Sequence, residues 1–392
     1  MLDWLIVGGG VHGTHLSHVL LTGARVPRDR LRVLDPHPAP LYRWRECTRA
    51  VGMKHLRSPG VHHLDLDAFS LHQFARGRSG AFAPPYDRPS LAVFDEHCDH
   101  LIQANRLDEV RVRGEARALR RVEGGWEVDT DNGALTARRV VLAMGLGDQR
   151  AWTAWALLAG AAGVHASHVF DVGWSAQKLP NGPVLVVGGG ITAAQASLTL
   201  ADTGRPVRLW MRHPLRIHQF DSDPGWIGPR FMAGFRAETD VTRRRAAIAG
   251  ARHRGSMPLD VADALGSAIK AGRVTLLGGE FVRATPLSVD DTPDGGARAS
   301  LVLETSTGFT SADSVVLCTG FDTRRPGGRW LDDAVEREGL PCAPCSYPVV
   351  DGRLAWAPGL HVMGPLAELE LGPTARNITG ARQGAERIAA AA

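Results

Sequence analysis

Lysine is almost missing from this chain of 392 residues. Of its 45 basic side chains only Lys54, Lys178 and Lys270 are lysine, and the rest are arginine. A lysine retained against that background draws attention wherever it falls. Cysteine is sparse: Cys47, Cys98, Cys318, Cys342 and Cys345 are odd in number and scattered, which excludes a disulfide framework. Uninterrupted apolar runs of the roughly 18 residues needed for a membrane span are absent, so no membrane association is expected. Met1-Leu-Asp-Trp enters an apolar strand at once, which leaves no room for a signal peptide and makes the expected location cytoplasmic. The net charge of +4 is small and unclustered, which gives no case for nucleic acid but suits an anionic cofactor. With 44% hydrophobic and 22% charged residues the composition is that of a globular protein, and its length suggests two or three domains.

What is present is the same punctuation twice. Trp4 to Val7 form a short apolar run, read as a buried parallel strand. Gly8-Gly9-Gly10-Val11-His12-Gly13 follows, then a helical stretch to about Leu21, then a second strand from Leu31 to Leu34 that ends in Asp35-Pro36. Strand, Gly-x-Gly-x-x-Gly, helix, strand and acid, in that order, predict a dinucleotide-binding fold. Gly8 permits the tight turn, Gly10 lets backbone approach a pyrophosphate, and Gly13 lets helix pack on strand. The N–H groups opening the helix, at Val11 and His12, face the phosphates, and Asp35 accepts from ribose hydroxyls.

The second copy begins with the strand Val184 to Val187 and the turn Gly188-Gly189-Gly190-Ile191-Thr192-Ala193. Alanine in the third position, Ala193, is allowed. The strand Val207 to Met211 then ends in Arg212 where an acid would select a free 2′-hydroxyl. Arginine suits a 2′-phosphate and favours NADPH, although a solvated side chain is the plainer alternative. Val140 to Gly145 and Val315 to Gly320 are strands ending in glycine where the chain passes between domains. Glu115 to Val128 and Leu301 to Thr310 read as antiparallel strands. The expected fold is α/β: two Rossmann-like three-layer domains, the second (176–320) inserted between the first part (1–175) and the return segment (321–392) of the first.

Paired Gly-rich folds with strand-Thr-Gly crossovers resemble the two-dinucleotide-binding-domain flavoproteins. That resemblance spans nearly the whole chain and implies FAD on the first fold and NADPH on the inserted one. Three stretches look like the N-hydroxylating flavin monooxygenases of lysine and ornithine. They are Tyr42-Arg-Trp-Arg with Val51-Gly-Met-Lys-His-Leu-Arg-Ser-Pro59, Asp221-Ser-Asp-Pro224 with Phe231, Phe235 and Arg243-Arg-Arg245, and Leu369-Glu-Leu-Gly-Pro-Thr-Ala-Arg-Asn377. The resemblance implies that Met53 and Leu56 pass the flavin ring, that Gly145 and Gly320 line the crossovers, and that Gly364 and Asn377 lie at the flavin, where the last helix points its N-terminus. Three departures mark a neighbouring subfamily. Ala251-Arg-His-Arg-Gly-Ser-Met-Pro258 replaces the family's substrate-holding Asn segment, which argues against ornithine or lysine as substrate. Gly364-Pro365 replaces the usual Gly-Asp, and the first Gly-rich loop lacks the proline those hydroxylases often carry.

Lys54 in the flavin-facing segment suits stabilisation of negative charge on reduced flavin or binding of a substrate carboxylate. Arg57 and Ser58 share its loop and are further catalytic candidates. Surface exposure is the alternative for each. His55, His62 and His63 titrate in a useful range but read more simply as structural. Cys342-Ala-Pro-Cys345 has the spacing of a redox pair, though it lies in the return segment beside a Pro-rich turn. His97-Cys98-Asp99-His100 lacks a partner cluster for metal, and no metal is expected. Arg243 to Arg245 read as a solvated helix face, and Arg252-His253-Arg254 as a minority candidate for the nicotinamide entrance. The expected function is an NADPH-using flavin monooxygenase. It would pass oxygen from O2, through a C4a-hydroperoxyflavin, to a nitrogen or sulfur of a small metabolite. The alternatives are a flavin reductase of disulfides, quinones or a protein partner, and a nucleotide-holding sensor without turnover.

Overall fold

The computed structural model describes residues 1–289 and 298–390. Strands β1 (Leu2–Val7), β2 (Leu31–Asp35), β3 (Arg111–Arg113), β4 (Ala116–Val122), β5 (Gly125–Thr130) and β6 (Gly133–Leu142) belong to a first sheet. Strands β7 (His165–His168), β8 (Val184–Val187), β9 (Val207–Trp210) and β10 (Val274–Leu277) belong to a second. Next come β11 (Phe281–Val289), β12 (Arg298–Thr305) and β13 (Gly308–Ala312), an antiparallel meander, and then β14 (Ser314–Leu317). The chain returns through β15 (Ala355–Ala357) and β16 (Leu360–Val362) to the first sheet.

The first sheet runs β15-β16-β6-β1-β2-β3, and β4 and β5 extend it as an antiparallel hairpin on β6. Ile6 faces Val33 on one side and Val141 on the other, both in parallel register. Strands covered on both faces need continuous apolar runs, and Trp4, Leu5, Ile6 and Val7 are all buried. The second sheet is parallel throughout, in the order β10-β9-β8-β14-β7. β7 pairs with β14, His165 opposite Ser314, and the helix before it packs Ala156 and Ala159 against Leu185, Val187 and Trp210. The chain thus joins the second sheet at β7, ahead of the second Gly-rich turn. Short strands such as His165-Ala-Ser-His carry no apolar signal of their own, so their membership is set by long-range pairing alone.

Seven helices matter below: α1 (Val11–His18), α2 (Tyr42–Ala50), α3 (Ala154–Ala161), α4 (Ile191–Ala201), α5 (Pro229–Ala237), α6 (Val241–Ala251) and α7 (Ile378–Ala389). No described helix is long and apolar enough to cross a membrane.

The interior holds uncharged histidines. His97 is 2% exposed and His168 fully buried; Nε2 of the first lies 3.0 Å from Ser70 Oγ, and Nε2 of the second 3.1 Å from the Gly320 carbonyl. Burial lowers each pKa to about 4. The unfolded chain therefore binds protons below about pH 6.5 that the folded protein refuses until about pH 4. Stability should be complete above the unfolded value and fall through that window, by up to roughly 3 kcal/mol per residue. Urea midpoints from pH 7.5 to 4.5 check this, with His97→Gln flattening the slope. A midpoint constant over that range contradicts it.

Candidate functional site

At the first Gly-rich turn the three glycines have distinct jobs. Gly8 adopts φ +112°, and a Cβ there would lie 2.7 Å from the Ala143 carbonyl oxygen. A Cβ on Gly13 would lie 1.8 Å from the Gly8 oxygen, so helix and strand pack as closely as backbone allows. Around Gly10 nothing lies within 4 Å of a Cβ position. Gly10 opens α1 without a side-chain cap, so the N–H groups of Val11, His12 and Gly13 lack intrahelical partners. Asp35 is buried beneath the turn. Its carboxylate accepts from the N–H of Gly9 at 2.6 Å and of His37 at 2.9 Å, which leaves a further lone pair on each oxygen. Pro36 beside it is exposed, its carbonyl accepting from Arg113.

The second turn repeats the logic. Gly188 has φ +148° with the Cys318 oxygen 2.5 Å from its Cβ position, and Ala193 is buried against it. Gly190 opens α4, again without a side-chain cap, and half-buried Thr192 follows in its first turn. The loop Arg252 to Ser256 crosses this turn, with the Gly255 Cα 3.4 Å from the Gly190 Cβ position. Arg212 is exposed at the end of β9, and among the described residues its guanidinium holds no partner. The ring of His213, which the sequence reading passed over, lies against Gly189. Arg212→Ala should weaken NADPH by about 1.5–3 kcal/mol, roughly 10- to 150-fold, and leave NADH nearly unchanged. Titration with both cofactors checks this; equal loss for both assigns Arg212 a structural role.

The start of α7 stands beside that of α1. His12 Nε2 lies 2.9 Å from the Ala375 carbonyl oxygen, and its ring packs on Gly364, which has φ +63°. Burial lowers the pKa of His12 and keeps it neutral, so its role is to join the two helix starts. Asn377 opens α7 without capping it; its amide Nδ2 donates to Asp221 Oδ1 at 3.2 Å. The hydroxyl of Thr374, three residues earlier and 3% exposed, has no partner among the described residues.

The 51–58 segment spans the two units. Val51 belongs to the core of the second, its carbonyl accepting from Thr199, while Leu56 is buried in the first and Met53 packs against both. Lys54 is exposed, with only its backbone carbonyl engaged, by Leu91. Arg57 departs from expectation. Its guanidinium donates to the carbonyls of His218, Gln219 and Phe220 at 2.7–2.8 Å and to Ser256 Oγ at 2.9 Å. These contacts make it a clamp between units. Ser58 is half-buried, without a side-chain hydrogen bond among the described residues. Gly145 is exposed at the first crossover; Gly320, with φ +78°, accepts from Ala151 N–H at the second.

Of Arg243 to Arg245, only Arg243 is a solvated side chain. Arg244 bonds the Leu369 carbonyl and Glu370, and Arg245 pairs with Glu368. Glu368, which sequence reasoning missed, is fully buried. Arg376 holds both its oxygens, at 2.8 and 3.0 Å, and Arg252 lies 3.8 Å away. Cys342 and Cys345 occupy a turn of the return segment, Cys345 against the cluster of Met232, Phe235 and Tyr347, and burial pushes the Cys342 thiol up, away from a reactive thiolate. His55 and His62 are half-buried, and His63 is buried on the Ala68 carbonyl. Among the described residues no three potential metal ligands cluster, around His97 to His100 or elsewhere.

The model of one protein family, pyridine nucleotide-disulphide oxidoreductase, matches residues 5–250. No curated protein matches the sequence. Among solved structures, the reduced form of ornithine hydroxylase PvdA from Pseudomonas aeruginosa is similar with a TM-score of 0.76 and 16% identity, over 100% of this chain and 98% of that one. Ornithine N-hydroxylase KtzI from Kutzneria sp. 744, solved with reduced FAD, NADP+ and L-ornithine, gives 0.72 and 15% over the same shares. The bacillithiol disulfide reductase Bdr of Bacillus cereus gives 0.58 and 14%, again over 100% and 98%.

Proposed function

The chain belongs to the pyridine nucleotide-disulphide oxidoreductase family, and from that premise we propose that it is an FAD- and NADPH-dependent flavin monooxygenase that oxygenates a nitrogen or sulfur atom of a small metabolite. The region of the first turn fits FAD on three counts: the open space at Gly10, the uncapped start of α7, and, three residues before that start, the Thr374 hydroxyl without a partner among the described residues. The second turn and the free Arg212 fit NADPH. When bound and reduced, FAD supplies the activation of O2, expected to run through a C4a-hydroperoxyflavin. The chain's own residues bind and orient. α1 and α4 would offer N–H groups to the two pyrophosphates, Asp35 would accept from the first ribose, and Met53 and Leu56 would pass the flavin ring. Lys54 and Ser58 are the proposed substrate- or flavin-facing groups of that segment, and Arg57 holds it in place.

One observation carries the reading. The loop that lies on Gly190 is zipped through Asp221 to Asn377 at the start of α7, so the dinucleotide turn and the proposed flavin helix share one interface. The fold shared with hydroxylases that act on ornithine supports oxygenation. The fold shared with a disulfide reductase keeps a second reading, with Cys342 and Cys345 as its thiols. FAD-loaded protein supplied with NADPH, isotopically heavy O2 and the probes methyl phenyl sulfide and benzylamine separates the two. Labelled oxygen in a product supports the monooxygenase. Unlabelled probes, together with NADPH-dependent reduction of a disulfide such as dithionitrobenzoate, support the reductase. The protein is proposed to work in the cytoplasm.

A further inference from the structure

Between the second Gly-rich turn and the start of α7 lie two imidazoles that the sequence does not bring together. His218 follows the two-residue strand Arg216–Ile217, which pairs in parallel with Ser256–Met257. His218 N–H extends that pairing by donating to the Met257 carbonyl at 3.0 Å, and on the other side of the ring pair His253 N–H donates to the Asp221 carbonyl at 2.8 Å, beside an antiparallel bridge of Ser222 with Arg252. Between these two pairings the rings stack, with centroids 3.8 Å apart and planes 12° from parallel. Among the described residues neither ring forms a side-chain hydrogen bond. His253 is half-buried, and His218 is exposed.

The position is defined at both ends. Two residues beyond His253, Gly255 touches Gly190; on the other side Asp221, whose carbonyl His253 holds, bonds Asn377. A dinucleotide anchored by its pyrophosphate at Gly190 extends one nucleoside to each side. The adenosine side runs toward Arg212 and His213 at the end of β9. The other side must cross the 252–256 loop to reach α7. Resting on the NADPH assignment above, we propose that the stacked His218 and His253 rings are the platform that receives the nicotinamide ring. A planar aromatic face suits that ring in both redox states, because its oxidised form is a cation attracted to a neutral π-surface. His253 stays uncharged at neutral pH. Burial, then His218 and Arg57, lower the pKa of His253, against the opposing pull of Asp221 and Asp223. Two imidazolium rings at this spacing would repel.

The test uses the FAD-loaded protein and two probes, NADP+ and 2′-phospho-ADP-ribose, which share everything but nicotinamide. Affinities are read by equilibrium titration of wild type, His253→Ala, His253→Phe and His218→Ala, with melting curves to confirm that each variant is folded. In His253→Ala, NADP+ should weaken at least tenfold and 2′-phospho-ADP-ribose less than twofold. His253→Phe, which restores a flat ring, should recover most of the loss, and His218→Ala should show the same split as His253→Ala in smaller degree. Unchanged NADP+ affinity, or equal weakening of both probes, overturns the platform. A wild-type protein that binds neither probe overturns the NADPH assignment first, and the platform with it.

Discussion

Gly10→Ala should leave the protein folded and strip it of FAD. Gly10 sits at φ −76°, an ordinary angle for alanine, and no atom lies within 4 Å of the added methyl. The cost in the empty protein is confined to replacing glycine by alanine at a helix N-cap, a few tenths of a kcal/mol to about 1. The methyl nevertheless fills the gap through which a pyrophosphate reaches the α1 N–H groups. Affinity for FAD should fall at least about 100-fold, or roughly 2.7 kcal/mol. Gly13→Ala is the contrast, because its methyl would meet the Gly8 oxygen at 1.8 Å and must displace the turn itself. It should lose both stability and flavin. Flavin-to-protein ratios after saturation, with melting of the flavin-free proteins, separate the two variants. A Gly10→Ala protein that retains stoichiometric FAD contradicts the placement of the cofactor.

Glu368→Ala should destabilise the protein by about 3–5 kcal/mol, the range for breaking a buried ion pair by removing one partner. Its carboxylate is the fully buried counter-ion of Arg376 and Arg245, with Arg252 3.8 Å away. Arg245 and Arg252 come from α6 and the loop after it, in the inserted unit, and Arg376 from the return segment. Loss of Glu368 leaves three largely buried guanidinium groups without their shared counter-ion, so the two units should also separate more easily. Glu368→Gln, which keeps acceptor oxygen but not charge, should lie between. Urea denaturation and limited proteolysis near residues 245–258 check both effects; a loss below about 1 kcal/mol would mean that water or other groups replace the carboxylate.

The Gly-rich turns were legible because their information is local. A strand, three glycines and a helix lie within about twenty residues, and each glycine answers a contact that can be named from the motif alone. Arg57 was legible as important but not in its role. Its acceptors, His218 to Phe220 and Ser256, lie more than 160 residues away, and carbonyl oxygens leave no trace in a sequence. Arg244 and Arg245 looked solvated because a run of three charged side chains reads as an exposed helix face. Only the return segment, through Glu368 and Glu370, turns two of the three arginines inward. Strand β7 escaped because two histidines, an alanine and a serine have no strand-like pattern, and its place comes from pairing with β14. The His218–His253 stack needs two segments 35 residues apart to pair twice, in parallel at Ile217 and antiparallel at Ser222, which neither segment announces.

The central claim is that this chain delivers oxygen from reduced FAD to a substrate rather than electrons to an acceptor. Stopped-flow absorbance tests it most directly: protein loaded with FAD, reduced by one equivalent of NADPH without oxygen, then mixed with oxygenated buffer. The account predicts a long-lived species distinct from both reduced and oxidised FAD, held while NADP+ remains bound, which decays faster when an oxidisable amine or sulfide is added. Direct return to oxidised FAD in a single phase, unaffected by NADP+ and by every nucleophile supplied, would contradict it.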